Sequence, residues 1–376
     1  MSKQFDMATQ FHNKLQKLLA NKTRHNCMSP DCTEPAIHAH AISKEHALRV
    51  VAENGILINA QPLRADKNLY KEIKFEEIGI EKATTFKGFC KKHDLEFSAL
   101  DKSGINTFGD VFLQLYRSFA SFVFEDAVYT TSARHAGDEE NFNQHFELSK
   151  PISAARALAL SYDLKDGYDN ANEKLPSEDR IKLTPYSTVA GMDAHVIVRR
   201  ISFPCPVALQ KKFVLYEDGV FFDTFVFVIP SENSSTMIIV CDPKYTERLL
   251  GKVHTDIDTL NFIEYCMVCD SHWWLAPSVA HKWSKEKLEL IESDYWNFHE
   301  LKFLDDYDVS LFDEIRFKLC ETLPSTERDM EIAKIENLPV RQPPELRKLA
   351  FSMKVERDKT RVREKFPEGV ILNDDR

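Results

Sequence analysis

Two pairs of soft ligands stand at the ends of one early segment. Cys27 and Cys32 are separated by four residues, Cys90 and His93 by two. Thiolate sulfur and imidazole nitrogen are the donors a structural zinc ion takes, four at a time. Met28-Ser29-Pro30-Asp31, inside the first pair, is turn chemistry, and Gly88 before the second permits a tight backbone turn. Residues 1–104 hold three of the eight cysteines and six of the 13 histidines, a clustering that argues for ligands over scattered buried thiols. The chemistry expected is a structural Zn²⁺ site made by Cys27, Cys32, Cys90 and His93. Buried free cysteines are the competing reading.

His38 and His40 lie between the pairs, in Ile37-His38-Ala39-His40-Ala41-Ile42. A strand here turns both histidines to one face and Ile37 to the other. Two imidazoles at i and i+2 can share a metal, or one can bind while the other acts as a base. Alternatively one is a fourth zinc ligand, or both are hydrogen-bonded surface groups.

Cys-x4-Cys, a strand ending in His-x-Ile-Ser-Lys, a short helix and then Cys-x2-His-Asp resemble the zinc-containing HNH endonucleases of the ββα-metal class, a treble-clef arrangement. The resemblance covers residues 24–101. It implies that His40 is the general base and that His38 and Asp94 hold a catalytic divalent ion, Mg²⁺ or Mn²⁺. It implies that Asn59, or Asn54, orients the base, and that Cys90 and His93 form the second zinc knuckle. The implied reaction is phosphodiester hydrolysis in DNA or RNA, with Lys44, Lys87, Lys91 and Lys92 contacting phosphates. Ala39, where the family has Asp or His, keeps a second reading open. That reading is a non-catalytic zinc-binding module in an interaction or ligand-binding regulatory protein. The rest of the chain resembles an uncharacterised bacterial family with such a module, which implies antiviral (phage) defence.

Other elements must position these residues. A helix is expected over residues 4–20, its apolar face docking on the body. Ser43 is a natural N-cap for a short helix that Asn54-Gly55 stops, and Gly55 to Asn59 reads as a strand. Phe108, Val111, Phe112, Leu115, Phe119 and Phe122 repeat at helical spacing, and a second helix follows Pro151. Residues 163–187 are polar, with Gly167, Pro176 and Pro185, and read as a linker or long loop. Four β-branched and aromatic runs between 188 and 245 predict an antiparallel meander, with Asp218-Gly219 as a hairpin turn. Helices return over 256–320, with Trp273, Trp274, Trp283 and Trp296 as large apolar groups. Cys266-x2-Cys269 with His272 has knuckle spacing but lies in an apolar run, and is expected to be core thiols.

The fold class expected is therefore α+β: an N-terminal treble-clef zinc module, a helical segment, then an antiparallel sheet with packed helices. The divisions are a docking helix at 1–23, the zinc module at 24–104, a helical segment at 105–165, an α+β body at 185–335 and a charged tail at 336–376. Of 376 residues, 43% are hydrophobic and 29% charged, which excludes collagen-like and wholly disordered classes. No Walker loop, Rossmann fingerprint, Gly-x-Ser-x-Gly elbow or His-Glu-x-x-His is present. The net charge of −10 is uneven: residues 1–104 carry +3 and the remainder −13. A mildly basic, His-rich end on an acidic body permits nucleic-acid contact there. The body is expected to sense a protein partner or to form a homo-oligomer. With no long apolar stretch and no secretory start, a cytoplasmic protein without membrane contact is expected.

Overall fold

The alternation of apolar residues in the later strands explains the architecture. In a computed structural model the described residues are 10, 13–19, 24–62, 73–136, 154–175, 181–187, 193–217, 220–269, 272–295, 305–342, 346, 349 and 353. Strands β5 (Ile181–Ser187), β6 (Asp193–Ile201), β7 (Val207–Glu217), β8 (Val220–Pro230) and β9 (Ser235–Cys241) pair antiparallel as β7-β8-β9-β6-β5. On β8, Phe225, Phe227 and Ile229 face one side of the sheet while Val226 and Val228 face the other. The period of two thus buries both faces, which requires a layer on each.

Helix α4 (Phe108–Ala136) covers the first face, with Phe119 meeting Phe225 edge-on at a centroid distance of 4.8 Å. Helix α5 (Ala154–Gly167) packs along α4. On the second face lie α7 (Asp256–Met267) and α9 (Lys285–Asp294), with α6 (Thr246–Gly251) between β9 and α7. Thr255 caps α7 reciprocally with Asp258. Cys266 and Cys269 are buried in this core, as expected of packing thiols. Helices α10 (Asp313–Cys320) and α11 (Ser325–Glu336) close that side, held by Arg316 to Glu264, Glu331 and Asn261.

The sheet crosses the divisions drawn from sequence. Strands β2 (Ile56–Pro62) and β3 (Ile73–Gly79) leave the metal-ligand segment and extend the sheet through β10 (His272–Leu275), giving the order β3-β2-β10-β7-β8-β9-β6-β5. Both edges are guarded against further pairing. At β3, Glu292 accepts from the Phe75 N–H at 3.1 Å and pairs with Lys74 at 2.6 Å. At β5, Pro185 removes a donor from an edge strand, where none is needed. The expected linker over 163–187 is corrected accordingly: α5 runs to Gly167 and an edge strand starts at Ile181.

Helical residues 13–19 set Leu15 and Leu18 against the first-face core. The Asp218-Gly219 turn, Trp296 and most of the charged tail lie outside the described residues, although Glu217 and Val220 pair across that turn.

One buried acid makes a pH prediction. Asp223, on β8, is fully buried and neither carboxylate oxygen has a hydrogen-bond partner. Burial pushes its carboxyl up to about 7, against the pull of Lys212 and with help from Asp126. A folded-state value above the unfolded one means the folded state holds the proton longer. Stability is therefore expected to fall as pH rises from about 4 to about 7, by on the order of 4 kcal/mol, and then to level off. Asp223→Asn should remove that slope from melting temperatures recorded across pH 4–8. Parallel curves for the two proteins would contradict the assignment.

Candidate metal centre and histidine face

The first ligand pair is shaped by its own backbone. The Cys27 N–H donates to the Glu34 carbonyl and the Cys32 N–H to that of Ser29, at 2.9 and 3.2 Å, and Asp31 takes a positive φ of 58°. Main-chain bonds from Met28 to Gly88 and from Ile37 to Phe89, both 2.7 Å, hold this loop against the run leading to Cys90. Gly88 is required there, since a Cβ would lie 2.0 Å from the Phe86 ring. Two short strands, β1 (Ala39–His40) and β4 (Thr85–Phe86), pair antiparallel beside it. The chain then enters α2 (Lys91–Asp94), with Cys90 at its N-cap and His93 inside its single turn.

Four ligand atoms converge at this junction, all within 4.8 Å of one another: one each from Cys27, Cys32, Cys90 and His93. Cys27 Sγ and Cys90 Sγ lie 3.4 and 3.3 Å from His93 Nδ1, and Cys32 Sγ lies 3.9 Å from Cys90 Sγ. A tetrahedral zinc ion sets S···S at about 3.8 Å and S···N at about 3.5 Å, given its usual bond lengths. These three of the six separations are close to that shell, and the donor set suits borderline-soft Zn²⁺. Burial pushes the Cys27 thiol up to about 11. At Cys90 burial works the same way but is outweighed by the His93 and Lys92 N–H groups and the neighbouring thiols, so its pKa falls. A cation among the sulfurs supplies the charge that favours three thiolates.

The histidine face is formed by His40 at the end of β1 and His38 just before it. Ala39 points inward and is 1% exposed, whereas His38 is exposed and His40 half-buried. His40 Nε2 is buried without a hydrogen-bond partner, and so is Asp94 Oδ1 on α2. Both side chains feel the guanidinium of Arg117 on α4. Burial lowers the His40 pKa and Arg117 adds to this, with the Ile80 carbonyl pulling the other way. Burial raises that of Asp94 against Arg117. Arg117 itself donates to Asp101 at 2.9 Å and lies 4.9 Å over the Phe97 ring.

Three polar residues of α4 escaped the sequence reading. Gln114 Nε2 and Ser118 Oγ both donate to the Ala41 carbonyl, at 2.8 and 3.2 Å, fixing the backbone directly after His40. With Arg117 they make a polar stripe at helical spacing between the apolar positions of the helix, which was the available signal.

Asn59 stands on β2 in the large sheet, and its side-chain oxygen accepts from Gln61 Nε2 at 2.9 Å. Asn54 is an exposed turn residue with φ 52°. Lys44 pairs with Glu81 and Glu45, at 3.2 and 3.3 Å, and Lys87 is buried. Lys91 and Lys92 are exposed.

No helix among the described residues is long and apolar enough to cross a membrane. No family model matches the chain, and neither does a curated protein or a solved structure.

Proposed function

We propose that residues 24–104 form a zinc-stapled, treble-clef module of the HNH type whose histidine face cleaves phosphodiesters. The observation that carries this is the pair of buried, unpartnered polar atoms, His40 Nε2 and Asp94 Oδ1. Buried polar atoms without partners are costly, and functional sites are where such cost is retained. The elements brought together agree with the reading: a ligand loop, the antiparallel pair of β1 and β4, then the helix that carries the second ligand pair.

In this reading His40 Nε2 takes the proton of the attacking water, with the backbone directly after it set by the bonds from Gln114 and Ser118. His38 and Asp94 would hold Mg²⁺ or Mn²⁺, which when bound supplies charge to the phosphate and the leaving oxygen. Lys91 and Lys92 place positive charge near the substrate backbone. The zinc ligands keep hairpin and helix in register and touch no substrate. Cleavage of DNA and RNA by wild type and His40→Ala, with Mg²⁺ or Mn²⁺, tests the proposal.

A second reading has its own support. Strands β2 and β3 leave the segment to extend the body sheet, so the same ion also fastens the N-terminal part to the body. A zinc scaffold without catalysis fits that role, and an inactive wild type with intact zinc would select it.

A further inference from the structure

His93 presents Nδ1 to the sulfurs, which leaves its other ring nitrogen to face outward. There, His93 Nε2 lies 4.0 Å from Glu96 Oε1, one turn along the chain. The second oxygen of Glu96 lies 3.4 Å from Lys165 Nζ, contributed by α5. The Lys165 side chain is only 9% exposed. Its ammonium sits 4.9 Å from the Tyr162 ring centroid and 6.0 Å from that of Tyr116, which fixes where it points. It also bonds Asp166 at 2.7 Å. The chain His93–Glu96–Lys165 therefore runs from the ligand cluster to a helix beyond the ligand segment.

We propose that Glu96 and Lys165 are positioning residues of the metal centre: Glu96 holds the Nε2–H of His93, and Lys165 holds Glu96. Metal-bound histidines are commonly oriented by a carboxylate on the free nitrogen, which fixes the tautomer and raises ligand basicity. The 4.0 Å separation is closed by a small side-chain movement or by one bridging water. This inference rests on zinc binding but not on nuclease activity. It places α5 within the energetics of the site, so metal affinity depends on a residue 72 positions beyond His93.

The test titrates the zinc-loaded full chain against a chromophoric chelator. Glu96→Ala should weaken zinc binding by about tenfold to a hundredfold. Glu96→Gln, which still accepts a hydrogen bond, should recover part of that loss, and Lys165→Met should fall between. Circular dichroism of the zinc-loaded variants should match wild type. Long-range proton–nitrogen correlation spectra of wild type should show Nδ1 bound to metal and Nε2 protonated. Affinity within twofold of wild type in Glu96→Ala, or ligation through Nε2, would overturn the inference alone. A wild-type chain that takes up no zinc would overturn the metal reading and this inference together.

Discussion

Cys90→Ser is expected to leave the ligand segment without a stable fold while the sheet and its helices persist. The ligand loop, β1, β4 and α2 have little regular structure of their own, and what else holds them is the packing of the segment's apolar side chains into the first-face core. Strands β1 and β4 are two residues each, and α2 is a single turn of four. Elements this short do not survive alone in water. The ligand pairs are separated by 57 residues, so one ion closes the whole segment. Structural zinc in small domains contributes about 10–16 kcal/mol of apparent binding energy, which is folding energy when the site forms only in the folded state. Serine keeps the size of cysteine, so the loss is of a ligand and not of packing. Amide exchange should show protection lost over β1, β4 and α2. Strands β2 and β3, paired into the sheet, should loosen least, and α7 and β8 should stay protected. Chelator added to wild type should reproduce the pattern. Wild-type protection across β1, β4 and α2 in Cys90→Ser would sink the stapling argument.

The second large effect concerns His40→Ala. Removal of a general base typically costs about 10²–10⁴-fold in rate. The variant should therefore lose almost all cleavage with Mg²⁺ or Mn²⁺. It should keep its zinc and its fold, because His40 is only half-buried and its Nε2 anchors nothing. Gln114→Ala should lower the maximal rate more than the substrate affinity, since Gln114 acts through the Ala41 carbonyl and not on substrate. Equal background cleavage by wild type and His40→Ala would refute the nuclease reading and leave the scaffold reading standing.

How much of this was legible depended on the range of the interaction. The four ligands were readable because each pair is local and soft donors in turn-forming surroundings are rare. The period-2 strands and α4 were readable from their apolar spacing, because burial follows that spacing directly. The joining of β2 to β10, which brings β3 into the same sheet, was not, because it is set by contacts more than 200 residues away, such as Ile58 with Leu275. The strand containing Pro185 was hidden by its proline, which is tolerated because β5 is an edge. The lysines illustrate the same limit from the other side. Charge at positions 44 and 87 was visible, but the carboxylate partners of Lys44 and the burial of Lys87 were not. Gln114, Arg117 and Ser118 lie outside the stretch that carries the family resemblance, which is why they went unassigned although they line its histidine face.

The central claim is that Cys27, Cys32, Cys90 and His93 hold a single ion. Elemental analysis of the purified full chain, with Cys90→Ser beside it, tests this most directly. One zinc per wild-type chain and almost none in the variant is the result predicted. Well under one zinc in wild type, or equal zinc in both, would contradict the account.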